Sequence, residues 1–119
     1  MREGGQPVKP AILVLSVSSG AVEDHVLAGI EEEGVPAIVE RPNEPRAAED
    51  LAVEAALHSS LRVGVGIDNA GRVCIQHEKL PHLLPDLLYN DAVDLSCARN
   101  AGHNAARIVV GVPLRLSGG

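Results

Sequence analysis

Ala11-Ile-Leu-Val-Leu-Ser-Val17 is an apolar run interrupted only by Ser16, with no alternation of polar and apolar positions. A strand with one wet face alternates, so a run of this kind reads as a strand covered on both faces. That restricts the chain to folds with helices on either side of a sheet. The segments downstream agree. Ser18-Ser19-Gly20 turns the chain into a first helix, with Val22, Val26, Leu27 and Ile30 at helical spacing and Gly34 and Pro36 as stop signals. Ala37-Ile-Val-Glu-Arg41 forms a second strand. Pro42-Asn43-Glu44-Pro45 breaks it, and Asn43 is placed to cap a helix from about 45 to 58, with Ala47, Leu51 and Ala55 four apart. Leu61-Arg-Val-Gly-Val-Gly-Ile67 is a third strand, and Asp68-Asn69-Ala70-Gly71 turns it into an antiparallel fourth, Arg72-Val-Cys-Ile-Gln-His77. Leu80 to Leu88, with Pro81 and Pro85, reads as an irregular or short helical crossing. A long last helix starts at Asp91 as cap and runs to about Val110, ended by Gly111 and Pro113. The expected architecture is α/β: a single three-layer domain over 10–114, with a mostly parallel sheet and one antiparallel edge hairpin. A flexible N-terminal lead (1–9) and a frayed tail (115–119) flank it.

The core of such a domain must be aliphatic, because the 119 residues include one Tyr (Tyr89), no Phe and no Trp. The net charge of −6 argues against nucleic acid, which calls for a basic footprint and base-stacking aromatics. No apolar run approaches the roughly 18 residues of a membrane span, and no signal-peptide pattern opens the chain. Cys74 and Cys97 alone do not make a disulfide framework. A cytoplasmic setting follows as the expectation.

The search for self-contained chemistry returns little. Gly64-Val-Gly66 lies inside a strand with no helix opening after it, so it fails as a dinucleotide fingerprint. The Ser18-Ser19-Gly20 turn, between a strand end and a helix start, is a candidate anion cradle, although most such turns are plain connections. Cys74 and His77, three apart on a strand, face opposite sides and cannot share a zinc ion; Cys97 and His103 are poorly aligned on a helix. None of the five histidines has an evident nucleophile beside it, and no catalytic residue is assigned.

Two features stand out against this background. Glu31, Glu32 and Glu33 fall in the last turn of the first helix, where the helix dipole disfavours negative charge by roughly 0.3–1 kcal/mol per exposed carboxylate. Either something positive meets this corner, a cation or a partner's basic groups, or the acids form a solvated cap. On the last helix, Arg99, Asn100, His103, Asn104 and Arg107 recur at three- and four-residue steps as one polar stripe, with Ala101, Ala105, Ile108 and Val109 left to face the sheet. Arginine there suits interface pairing, so the stripe reads either as solvated surface or as a partner surface.

Taken in order, Gly29-Ile-Glu-Glu-Glu-Gly-Val-Pro36, Leu61 to Ile67, Arg99-Asn-Ala-Gly-His-Asn-Ala-Ala-Arg-Ile108 and Gly111-Val-Pro113 resemble the small (beta) subunits of diol/glycerol dehydratase reactivases, from about Ala11 to Pro113. The resemblance implies a non-catalytic subunit similar in fold to the dehydratase's own beta (medium) subunit. It also implies a large partner subunit with an actin-like ATPase domain that carries ATP or ADP, in a heterotetramer. Such a reactivase exchanges subunits with a cobalamin-dependent dehydratase so that damaged cofactor leaves. The family's small subunit gives one glutamate to a divalent metal, Mg2+ or Ca2+, held mainly by the large subunit, and the middle acid here is Glu32. Helix geometry agrees, since Glu32 lies about 200° around from core-facing Ile30. Glu31, Glu33 and the five stripe residues are then the expected partner interface. By itself the chain binds no cofactor. The face that the large subunit covers leaves room for self-association when the chain is isolated. A bacterial microcompartment is a further option for its location. Two other readings stay open. One is the medium subunit of the dehydratase itself, although no cobalamin-ligating D-x-H-x-x-G motif is present. The other is a stand-alone flavodoxin-like domain using the Ser18-Ser19-Gly20 turn.

Overall fold

All five residues of β1 (Ile12–Ser16) are buried, as the unbroken apolar run requires. The computed structural model describes residues 10–79, 87–90 and 94–111. The remaining elements are α1 (Ala21–Glu32), β2 (Ala37–Glu40), α2 (Ala48–His58), β3 (Val63–Ile67), β4 (Val73–His77), β5 (Leu88–Tyr89) and α3 (Leu95–Val110). The strands form one mixed sheet in the order β2-β1-β3-β4-β5. β1 lies parallel to β2 and to β3, with Ile12 opposite Ala37 and Leu13 opposite Gly64, whereas β4 is antiparallel to both β3 and β5.

Alternate residues of the strands point into two layers. Ile12, Val14, Val63, Val65, Val73 and Ile75 join Val26 and Ile30 of α1 and Ala98, Ala101 and Ala105 of α3 in the main core. Leu13 and Leu15 meet Leu51 and Ala55 of α2 on the other side, and Cys74 meets Ala48 and Ala52. The three-layer α/β expectation therefore holds. Gly64 and Gly66, unsuitable as a phosphate loop, have a structural use instead. A Cβ on Gly64 would collide with the backbone of Ala55 and Ala56, and one on Gly66 would lie 2.6 Å from the Ala52 nitrogen. The alanine-rich helix lies directly on the strand, and only paired small residues allow that distance.

Several boundaries differ from the sequence expectation. β5 lies outside β4, so the hairpin is interior and β5 is the edge. Two residues are too few to give a periodicity, and the expected crossing over 80–86 lies outside the described residues. β3 starts at Val63 because Arg62 takes a left-handed φ of 65° in the turn before it. α2 starts three residues later than expected, with Ala47 rather than Asn43 at its N-cap and no side-chain cap. It begins where Ala48 first touches β3, so sheet contact rather than capping sets its start. α3 is capped by Asp94, whose carboxylate accepts from the Ser96 backbone N–H at 3.1 Å. Asp91, the lead 1–9 and the tail 115–119 lie outside the described residues.

The β3–β4 turn depends on Asp68, which accepts from the backbone N–H of Ala70 and of Arg72 and from Arg72 Nε, all at 2.9 Å. Partial burial pushes its carboxyl up, but these donors outweigh burial and hold it below the usual Asp value. A depressed folded-state pKa contributes stability above the ordinary Asp value of 3.8, and that contribution disappears as pH falls through the lower folded value. Asp68→Asn is therefore expected to lose stability at pH 7, with the difference from wild type closing as pH falls through the lowered folded value. Denaturant melts at pH 7 and in acid measure it.

Candidate functional site

The last turn of α1 is closed by a Schellman motif. Gly34 adopts φ 80°, its N–H donates to the Glu31 carbonyl at 2.9 Å, and the Val35 N–H reaches back to Ile30 at 3.4 Å. Val35 and Ile30 are both buried in the main core, which supplies the hydrophobic contact typical of this cap. The closure fixes Glu31 and Glu32 as the final residues of the helix and Glu33 as its C-cap. α3 ends in a similar way, with Gly111 left-handed and its N–H donating to the Arg107 carbonyl at 2.8 Å.

The two helices touch backbone to backbone. A Cβ on Gly29 would strike the Arg99 carbonyl oxygen and lie 2.9 Å from the His103 nitrogen. A Cβ on Gly102 would strike the Val26 carbonyl and lie 3.0 Å from the Ile30 nitrogen. This reciprocal contact lays the 99, 103, 107 row of α3 across the acidic end of α1. Arg99 Nη2 is 3.2 Å from Glu32 Oε2, and Arg107 Nε donates to Glu33 Oε2 at 3.1 Å. Between them, His103 Nε2 lies 2.8 Å from Glu32 Oε1 and its Nδ1 2.6 Å from Glu33 Oε2. Carboxylates only accept, so a ring nitrogen of His103 bonds its carboxylate through its own N–H. Hydrogen bonding from His103 holds the Glu33 carboxyl below its ordinary value; desolvation opposes this, and Arg107 adds to it.

The positive charge that the acidic corner calls for is thus supplied from within the chain. The polar stripe divides accordingly. His103 and Asn104 are 7% and 2% exposed, so they lie inside the packed helix pair and not on a free surface. Asn104 Nδ2 donates to the Tyr89 hydroxyl at 2.7 Å and ties α3 to β5. Arg99, Asn100 and Arg107 are half-buried. Ala101 and Ala105 are fully buried, as expected of the sheet-facing set, while Ile108 and Val109 pack at its margin. Glu31 is exposed and makes no ion pair among the described residues. Glu32, placed as the outward acid, points towards Arg99 and His103 and stays 47% exposed. Sequence spacing missed the role of His103, because only the approach of Gly29 and Gly102 brings residues about 70 apart into contact.

Other sequence candidates lie apart. Ser18, Ser19 and Gly20 line a crevice of about 140 Å3 with Asp68 and Asn69, at the carboxyl ends of β1 and β3. Ligand sites of open α/β sheets fall at this point, but this crevice is below the roughly 300 Å3 of an ordinary small-molecule pocket. Cys74 is buried under α2, which pushes its thiol up to about 12, and His77 accepts from the Lys79 N–H instead. Among the described residues no three His, Cys, Asp or Glu side chains are grouped to hold a metal ion, and no helix is long and apolar enough to cross a membrane.

With this geometry in view, comparison with known proteins is decisive. Residues 9–115 match the family model for the dehydratase medium subunit. The chain belongs to this family. It is 36% identical over 107 residues to a propanediol dehydratase-reactivating factor small subunit from Salmonella typhimurium, covering 89% of this chain and 90% of that one. A diol dehydratase-reactivating factor small subunit from Klebsiella michiganensis is 36% identical over 105 residues, covering 88% of this chain and 82% of the relative. Among solved structures, a glycerol dehydratase reactivase superposes with a TM-score of 0.76 at 26% identity, over 90% of this chain and 97% of that chain. A diol dehydratase-reactivating factor complexed with ADP and Mg2+ gives 0.75 at 32%, over 91% and 99%. The resemblance to reactivase small subunits is therefore confirmed along nearly the full chain.

Within the family fold, the contact of Glu33 with His103 and Arg107 has a pH signature. Glu33 contributes stability above the ordinary carboxyl value of 4.5, and this is lost as pH falls through the lowered folded value. Glu33→Gln should remove that dependence, so mutant and wild-type stabilities converge in acid. His103→Ala should destabilise more than either Glu33→Gln or Glu32→Gln, since it removes a bond from both carboxylates at once and leaves each with its arginine alone. Urea melts of the three variants at pH 7 and pH 4 give the ranking.

Proposed function

We propose that this chain is the non-catalytic small subunit of a dehydratase reactivase. It pairs with a large ATPase subunit in a heterotetramer, and the complex releases damaged cobalamin from a diol or glycerol dehydratase by subunit exchange. The observation that supports this reading best is the near end-to-end likeness to reactivating-factor small subunits in both sequence and fold. A subunit that displaces the dehydratase's medium subunit must share its shape, and the match to the medium-subunit family model agrees with that requirement. In this reading ATP or ADP belongs to the large partner.

Glu32 is assigned to a divalent metal, Mg2+ or Ca2+, shared with the large subunit. Its carboxylate is a hard oxygen donor, half-exposed at the end of a rigid helix, and so suits such an ion. With Arg99 and His103 beside it, it needs further negative ligands, which the partner would supply. Glu33 stays with His103 and Arg107, so Glu32 can engage a metal while the helix pair remains pinned. The metal would contribute a charge bridge between subunits. Glu31, on the exposed rim, Glu33 and the half-buried Arg99, Asn100 and Arg107 border the same interface, with His103 and Asn104 supporting it from inside.

A tagged chain incubated in source-cell lysate with Mg2+ and ADP should co-elute with a much larger ATPase subunit, identified by mass. Glu32→Ala should weaken that association when Mg2+ is present and leave it unchanged in EDTA. Co-elution with a corrin-bearing catalytic subunit alone would favour the second reading, a dehydratase medium subunit, which the family description itself suggests. Recovery of neither would overturn both.

A further inference from the structure

The carboxylate assigned to an intersubunit cation already holds one. Glu32 Oε1 is turned towards His103, which leaves Oε2, and that oxygen is paired with Arg99 at 3.2 Å. We infer that Arg99 and the divalent cation compete for Glu32, so that Arg99 sets how strongly assembly depends on the metal. The inference rests on the metal reading of Glu32 given above.

The structure distinguishes a pair built to open from one built to stay. Arg99 and Glu32 are 42% and 47% exposed, and solvent screening keeps such a pair weak. Glu33 and its two partners are more enclosed, with side chains 18%, 9% and 25% exposed for Glu33, His103 and Arg107. Arg99 Nε is buried and finds no acceptor where it stands. Leaving Glu32 therefore breaks no well-satisfied network and gives the guanidinium a chance to satisfy that donor. The α1–α3 contact does not depend on Arg99's side chain, since Gly29 rests on the Arg99 carbonyl and Gly102 on Val26. A divalent cation at Oε2 and a guanidinium at the same oxygen repel each other, so binding of one favours departure of the other. In the free chain Arg99 neutralises the exposed acid; in the complex the metal replaces it.

The test measures the dissociation constant of the full-length chain from its large subunit, with ADP, in Mg2+ and in EDTA. The ratio of the constant in EDTA to the constant in Mg2+ isolates the metal's share, because a direct contact between Arg99 and the partner scales both equally. Arg99→Gln is expected to raise the ratio about two- to fivefold, the range set by a half-exposed ion pair. Arg99→Lys keeps the charge and should stay near wild type. Glu32→Gln should bring the ratio close to one, alone or combined with Arg99→Gln. An unchanged or lowered ratio for Arg99→Gln, with Glu32→Gln still abolishing the Mg2+ effect, overturns the competition and leaves the metal reading intact. A normal Mg2+ effect in Glu32→Gln overturns the metal reading and the competition with it. Circular dichroism melts confirm that each variant is folded before the constants are compared.

Discussion

The structure is organised by the contact between Gly29 and Gly102. Two helix backbones approach until neither can carry a side chain at the crossing, and each glycine rests on a carbonyl of the opposite helix. Interiors tolerate extra atoms poorly, so this crossing admits almost no variation in distance or register. The charged cluster on this face follows from it. The row at 99, 103 and 107 reaches the end of α1 only because residue 102 lies beside residue 29.

That position resolves an electrostatic difficulty at the helix end. A run of three acids at a C-terminus opposes the dipole of its own helix. In the folded chain, two arginines and a histidine from α3 lie against two of those acids at 2.6–3.2 Å. The Schellman closure at Gly34 then sets which acids can be reached, by ending the helix so that Glu33 turns inward beside Val35. Backbone geometry therefore determines the charge pairing, and the pairing in turn reinforces the crossing.

Much of this was legible in local sequence. The uniform apolar run of β1, the stop at Gly34 and Pro36 and the Asp68 turn each carry their own signal within a few residues. They predict the layers, the parallel start of the sheet and the hairpin. What was not legible depends on distant residues. β5 is two residues long and exists through its pairing with β4. α2 begins where it meets Gly66, not where a cap residue stands. Gly64 and Gly66 resemble a phosphate loop until the alanines of α2 are placed on them. The stripe on α3 is visible as a pattern, but spacing alone cannot say that its centre is buried against another helix and its edge is not.

The three consecutive glutamates end up with three different environments, because successive helix residues are rotated by about 100°. Glu33 is drawn under α3 and held by His103 and Arg107, so its charge contributes to the fold. Glu31 faces solvent, where its charge has little effect on stability. Glu32 lies between these positions, close enough to α3 to be neutralised and exposed enough to be reached from outside. A single acid at this corner would have to choose between structure and recognition. With His103 bonded to Glu33 through Nδ1 and to Glu32 through Nε2, the ring can lose the second bond and keep the first. The fold's hold on this corner then persists whatever Glu32 is asked to bind.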